Sequence, residues 1–181
     1  MRYWSIVLLL LWPSLTFAED AYAVRVLDPI AAAMLAQAME RSAIVRDLVH
    51  QLRQHSNMIV HIEATRNLPS GIGGTTRFVA GRGKYRYLRI SLSAWLPPAD
   101  RVAIVGHELQ HALEVAQSLS ANAAEVRKWF ETSGFRVRVS HDLFETNAAL
   151  QIEMKIRQEL RARPALTTRG SAPSRSADPV K

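Results

Sequence analysis

The sequence predicts an α+β domain, and three observations carry that class. "LDPIAAAMLAQAMERSAIVRDLVHQLRQHS" repeats its apolar residues at helical spacing. "MIVHIEA" and "TTRFVAGRGKYRYLRISLS" alternate with period two, as strands do. From "RVAIVGHELQHALEVA" onward the period is helical again. Strands grouped between helices, rather than alternating with them, define the class. No internal repeat is visible.

Each element has its own signals. Asp28 followed by Pro29 starts a helix, with a stripe of Met34, Leu35, Ala38, Val45, Leu48, Val49 and Leu52. Ser42 is placed to divide that stretch into two helices. His50 and His55, near its end beside basic residues, read as surface histidines. In the first strand Met58, Val60 and Ile62 face one way, and Ile59, His61 and Glu63 the other. "LPSGIGG" is a loop. A β-hairpin follows, turned at Gly81-Arg82-Gly83, with Leu88, Ile90 and Leu92 inward and Tyr85, Tyr87, Arg89 and Ser91 outward. "WLPPAD" breaks the chain before a helix over Ala99–Ser118. Another helix runs near Ala121–Thr132 and stops at Gly134. "FRVRV" reads as a short extended piece. The last helix is expected near Leu143–Arg161, with Leu150, Met154, Ile156 and Leu160 among its apolar positions.

The two ends differ from this folded region. Residues 1–18 read as a signal peptide: Arg2, an apolar run from Ile6 to Leu11, then Thr16 and Ala18 at the minus-three and minus-one positions. The run is too short to span a bilayer comfortably and Pro13 interrupts it. The mature protein is therefore expected to be periplasmic or secreted. Residues 163–181, rich in Pro, Ser and Arg, read as a disordered basic tail, leaving residues 24–162 as the domain. The chain of 181 residues has a formal net charge of +7. The tail offers a weak contact to anionic surfaces, although a solvated tail is the simpler reading. No pattern of interleaved aromatic and basic residues suggests nucleic acid as a partner, and the export signal argues against it. With no cysteine, disulfides, an N-terminal lipid-modified cysteine and a thiol nucleophile are excluded.

The chemistry lies in the middle of the Ala99–Ser118 helix, at His107, Glu108 and His111. Residues four apart share a helix face, about 6 Å apart along the axis, so the two imidazoles can converge on one metal. Glu108 flanks the first histidine and can reach a water on that metal. This H-E-x-x-H arrangement is that of zinc hydrolases. Zinc lowers the pKa of its water to about 7, and the carboxylate takes a proton as the water attacks a carbonyl. The bland alternative is the polar stripe of a surface helix. A di-iron bundle would need a second E-x-x-H, and the chain has none.

"GHELQH" resembles the active-site helix of the zincin metallopeptidases, and the order of strands, active helix and later helix is similar to small gluzincin-like members. "LRISL", "GHELQHALEVA" and "FETNAAL" resemble a group of small exported bacterial proteins; the resemblance covers most of residues 25–162. It implies one zinc ion held by His107 and His111, with Glu108 as general base and a peptide or protein as substrate. The metzincin continuation is absent, because Glu114 and Gln117 stand at its glycine and third-histidine positions. Gluzincins take a third ligand from a downstream helix, and Glu145 resembles it, with His141 and Asp142 as alternates. The competing reading is that Asp142 and Glu145 form a capping box. Asn147 and Ala148 stand where the family's further acidic partner would be sought. His141 is the candidate for oxyanion stabilisation, with Tyr85 and Tyr87 as weaker ones. Glu114 lies too far along the helix to share the metal and is expected to salt-bridge or to orient a ligand. By the same analogy, the strand around Tyr85–Ser91 is the sheet edge to which substrate would add. A non-catalytic metal-containing module of the cell envelope is the alternative function.

Overall fold

Asp28 caps the first helix as its sequence predicts. Its carboxylate accepts the Ala31 N–H at 2.9 Å, and Pro29 follows where a missing N–H costs nothing. The other carboxylate oxygen accepts the Ala64 N–H at 2.7 Å, tying the helix to a strand. The computed structural model describes residues 23–137 and 143–162. In chain order these form β1 (Val24–Val26), α1 (Pro29–Arg41), α2 (Ala43–Gln54), β2 (Met58–Thr65), β3 (Gly74–Arg82), β4 (Tyr85–Ser93), α3 (Pro98–Gln117), α4 (Ala123–Ser133), β5 (Phe135–Arg136), β6 (Phe144–Glu145) and α5 (Asn147–Ala162). The fold is α+β. The signal-peptide and tail segments, with His141 and Asp142, lie outside the described residues. Among the described residues no helix is long and apolar enough to cross a membrane.

α1 and α2 separate at buried Ser42, whose hydroxyl accepts the Val45 N–H at 3.2 Å and donates to Glu159 at 2.6 Å. The main sheet has four strands rather than the expected three, in the order β1-β2-β4-β3, and β5 and β6 form a second small sheet. β1 has three residues, too few to show an alternation, and pairs parallel with β2 through Val24 and Val60. The hairpin turns at Gly83-Lys84, just beyond the middle of the expected turn. Gly83 sits at φ +58, a region that side-chain-bearing residues avoid.

The sheet edge also differs from expectation. β4 lies inside the sheet, parallel to β2 on one side and antiparallel to β3 on the other. Its Leu88, Ile90 and Leu92 are fully buried against the helices. β3 is the edge strand, and its composition suits that place. It carries Gly74, Thr76, Arg77 and Gly81, and its register slips at Val79. Polar residues and bulges are what exposed edges tolerate.

The helix α3 is the centre of the molecule. It packs on β3 and β4 and is flanked by α1, α2 and α5. From Val102 to Ala116 every residue is buried except Ile104 and Gln110, so the surface-stripe alternative does not hold. No basic residue lies in its last turn. Instead the Arg86 guanidinium, reaching from β4, donates to the carbonyls of Val115, Ala116 and Ser118 at 3.1, 2.9 and 2.9 Å. A cation at a helix C-terminus satisfies orphan carbonyls and complements the helix dipole.

α5 begins at Asn147, not Leu143, because Thr146 is its cap: the Thr146 hydroxyl accepts the Ala149 N–H at 3.1 Å. Its buried face is set by Ala149 and Ile156, whereas Leu150 and Met154 point to solvent. This helix lies close over α3 at Gly106, where a Cβ would overlap Ile156 Cδ1 and crowd Val45 at 3.4 Å. Gly106→Ala is therefore expected to destabilise by about 1–3 kcal/mol, in spite of alanine's better helix propensity. Urea denaturation measures it, and adding Ile156→Val should recover part of the loss. A Gly106→Ala protein as stable as the parent would refute the tight α3–α5 contact.

Candidate metal centre

Burying two histidines and a carboxylate in the middle of a helix demands partners for each. The partners come from β6 and α5. His107 Nε2 lies 3.2 Å from Glu145 Oε2, and His111 Nε2 lies 3.2 Å from Glu145 Oε1. The two rings meet edge to face with centroids 4.9 Å apart. One ligand atom from each of His107, His111 and Glu145 lies within 4.8 Å of the others, compact enough to hold a metal ion. Glu145 stands on β6, before the last helix rather than on it. The capping-box reading fails in its helical form, since Thr146 caps α5.

The far side of each imidazole is held as well. His107 Nδ1 is 3.0 Å from Glu153 Oε2, and His111 Nδ1 is 3.0 Å from Glu114 Oε2. Glu153 is fixed by Arg157, whose Nε and Nη2 donate at 3.0 and 2.8 Å, and Arg157 also grips Asp100 of α3 at 2.6 Å. Glu114 accepts from the buried Thr146 hydroxyl at 2.8 Å. The Thr146 N–H in turn donates to Glu145 Oε1 at 2.8 Å. One threonine thus links a helix cap, the carboxylate facing both imidazoles, and the partner of His111. Carboxylates on Nδ1 fix the tautomer in which Nε2, once it gives up its proton, can ligate a metal.

Glu108 points the other way around α3, toward the edge strand. It is buried, and its Oε2 is 2.8 Å from Thr76 Oγ1. Gly74 makes the space: a Cβ there would stand 2.7 Å from Glu108 Oε1 and Cγ. The carboxylate is close to the triad but outside it.

The electrostatics follow from crowding four carboxylates around two imidazoles. Burial disfavours charge on His107, yet hydrogen bonds to Glu145 and Glu153 override it and raise the pKa to about 10. His111 behaves alike: burial opposes, Glu114 and Glu145 prevail, and the value rises to about 9. Glu145 is pushed up by burial but drawn down to about 2 by its two imidazole partners. Burial raises Glu108, against the pull of both imidazolium charges. Without a metal, two protons supply the positive charge that the carboxylates require.

A cleft of about 860 Å³ opens over these groups, walled by β3 on one side and by α4 and β6 on the other. Ile104, Phe78, Phe130 and Phe144 give it apolar surface beside His107 and His111. Tyr85 and Tyr87 do not border it. Tyr87 lies on the far face of the sheet near His61, and Tyr85 lines a separate cavity of about 380 Å³. Glu153, Thr146, Thr76 and Gly74 escaped the sequence reading. Glu153 was findable, because it falls on the same face as Ala149 and Ile156, four and three residues away. Leu150 and Met154, apolar in sequence but exposed in the fold, blur that face. The partners that Thr76 and Gly74 find across the fold leave no local signal. No family model matches the chain, and neither a curated protein nor a solved structure is significantly similar to it.

Proposed function

We propose that this protein is an exported zinc-dependent peptide hydrolase of the zincin type. The observation that supports this most is that both imidazoles turn Nε2 to one carboxylate while a different carboxylate holds each Nδ1. Two nitrogens and one oxygen are the donors a catalytic zinc takes, with a coordination position left over. A purely structural site would call for a fourth protein ligand and has no use for Glu108. Export rests on the signal-peptide pattern of residues 1–18.

A zinc ion held by the triad would polarise a carbonyl and acidify water. Glu108 takes the proton from the attacking water and delivers it to the leaving amine as the C–N bond breaks. Its burial raises its proton affinity, which suits that exchange. β3 supplies the means to hold the peptide. The Ser93 N–H donates to the Gly73 carbonyl at 2.8 Å, so residues 73, 75 and 77 bond to β4. The N–H and C=O groups of Gly74, Thr76 and Phe78 then face outward along the cleft, open to an added strand.

Zinc titration of the chelator-stripped mature protein is the test. Uptake of about one zinc per chain is expected, with recovery of cleavage of an unstructured peptide. Their carboxylate partners raise the pKa of both imidazoles, to about 10 and about 9, so binding near neutrality should release about two protons. Zinc affinity should then rise by up to about a hundredfold per pH unit near neutrality. Calorimetry in buffers of different ionisation enthalpy counts the protons. Failure to bind zinc at any pH would end the proposal.

A further inference from the structure

The sheet face turned away from the helices carries three arginines and one histidine in one register. Arg25 pairs with His61, His61 with Arg89, and Arg89 with Arg77, so the row crosses β1, β2, β4 and β3 in order. With strands about 4.8 Å apart, it spans about 14 Å. All three arginines are exposed. Glu63, 3.8 Å from Arg89, offsets part of this charge. Burial, and then Arg25 and Arg89, lower the pKa of His61. Arg89 and Arg77, like charges directly across the ladder, oppose each other, and an anion beside them would relieve that. The last member of the row, Arg77, stands on the edge strand and borders the cleft. No carboxylate among the described residues pairs with it.

We propose that Arg77 makes the protein selective for peptides with an acidic side chain at the position that pairs with it. This rests on the reading of the cleft as a peptide-hydrolysing site. A strand added to the open edge of β3 continues the sheet's alternation. Residues paired with Thr76 and Phe78 would turn toward α3 and the apolar wall of Phe130 and Phe144. The residue between them, paired with Arg77, would turn to the outer face. In an antiparallel addition that pair is of the non-hydrogen-bonded kind, with Cα atoms about 4.5 Å apart and side chains close. The substrate class is thus a peptide with apolar residues flanking an Asp or Glu, and Arg77 is the residue that determines it.

A peptide series tests this, with one Asp moved stepwise through an otherwise neutral apolar sequence and cleaved by the zinc-loaded protein. One position is expected to raise kcat/KM by up to about fivefold, and the positions on either side of it to lower it. The preference should shrink in about 1 M salt, as an exposed charge pair requires. Arg77→Glu should invert the ratio of kcat/KM between the Asp peptide and its Lys counterpart, with zinc content unchanged. Equal cleavage wherever Asp is placed, or an Arg77→Glu effect identical on Asp and Lys peptides, would overturn the selectivity and leave the hydrolase standing. Failure to cleave even the neutral peptide would remove the hydrolase reading, and the selectivity with it.

Discussion

Glu108→Gln is expected to keep its zinc and to lose hydrolysis by about 10²–10⁴-fold, the usual contribution of a positioned general base. The substitution preserves shape. Gln fits the space that Gly74 leaves, and its amide oxygen can still accept from Thr76 Oγ1, now 2.8 Å from the carboxylate. Neither imidazole leans on Glu108 for its hydrogen bonds, since Glu145, Glu153 and Glu114 hold all four ring nitrogens. The variant should also be no less stable than the parent, because a buried ionisable group is replaced by a neutral one. Metal analysis, thermal unfolding and peptide cleavage on the same preparation separate the effects. Loss of zinc from Glu108→Gln would make Glu108 a ligand and sink the mechanism. If parent and variant both bound zinc and were equally inert on broad peptide libraries, a non-catalytic metal module would be the better description.

Glu145→Ala is expected to have the larger effect on metal. It removes one of three donors and leaves two neutral imidazoles facing a dication with no balancing charge. Changes to the groups behind the ligands typically cost 10–100-fold in affinity, and Glu153→Gln and Glu114→Gln should fall in that range. Glu145→Ala should exceed both. Competition with a chromogenic chelator ranks the three variants. A Glu145→Ala protein that binds zinc as tightly as Glu153→Gln would mean that the carboxylate between the imidazoles is only their proton partner. Circular dichroism guards against a trivial result, because Glu145 also accepts the Thr146 N–H beside the cap of α5.

Much of this was legible in the sequence because it depends on short-range order. Asp28, Ser42 and the alternation of Met58–Ile62 and Leu88–Leu92 act on their own segments and read directly. So did the pairing of His107 with His111, since helix geometry alone puts them on one face. Glu145 rests on the resemblance to gluzincins, and the helix that the resemblance implies for it is instead the short strand β6. Thr146 is the better cap, and it shortens the helix to begin after the carboxylate. The identity of the edge strand was harder. A hairpin has two strands, and which one docks on β2 depends on which buries more apolar surface. Leu88, Ile90 and Leu92 decide that for β4, leaving the glycine- and threonine-bearing β3 outside beside the cleft. The groups behind the imidazoles come from 46 residues away for Glu153 and three for Glu114. Only the nearer one could be anticipated from helical spacing.

The bond between Glu145 and the two histidines has a topological side. His111 and Glu145 are 34 positions apart, and α4 and β5 lie between them. Whatever positive charge joins them closes a chain loop of that length and latches the C-terminal helix to α3. A zinc ion would act as a permanent rivet. The protons of the metal-free form are a conditional one. The histidine pKa values are raised, so their contribution is complete below pH about 6.5 and drains away as pH climbs through about 9 to 10. Above that range the metal-free chain is expected to release α5 before the sheet opens, as a separate unit of local unfolding. The zinc-loaded chain should stay latched.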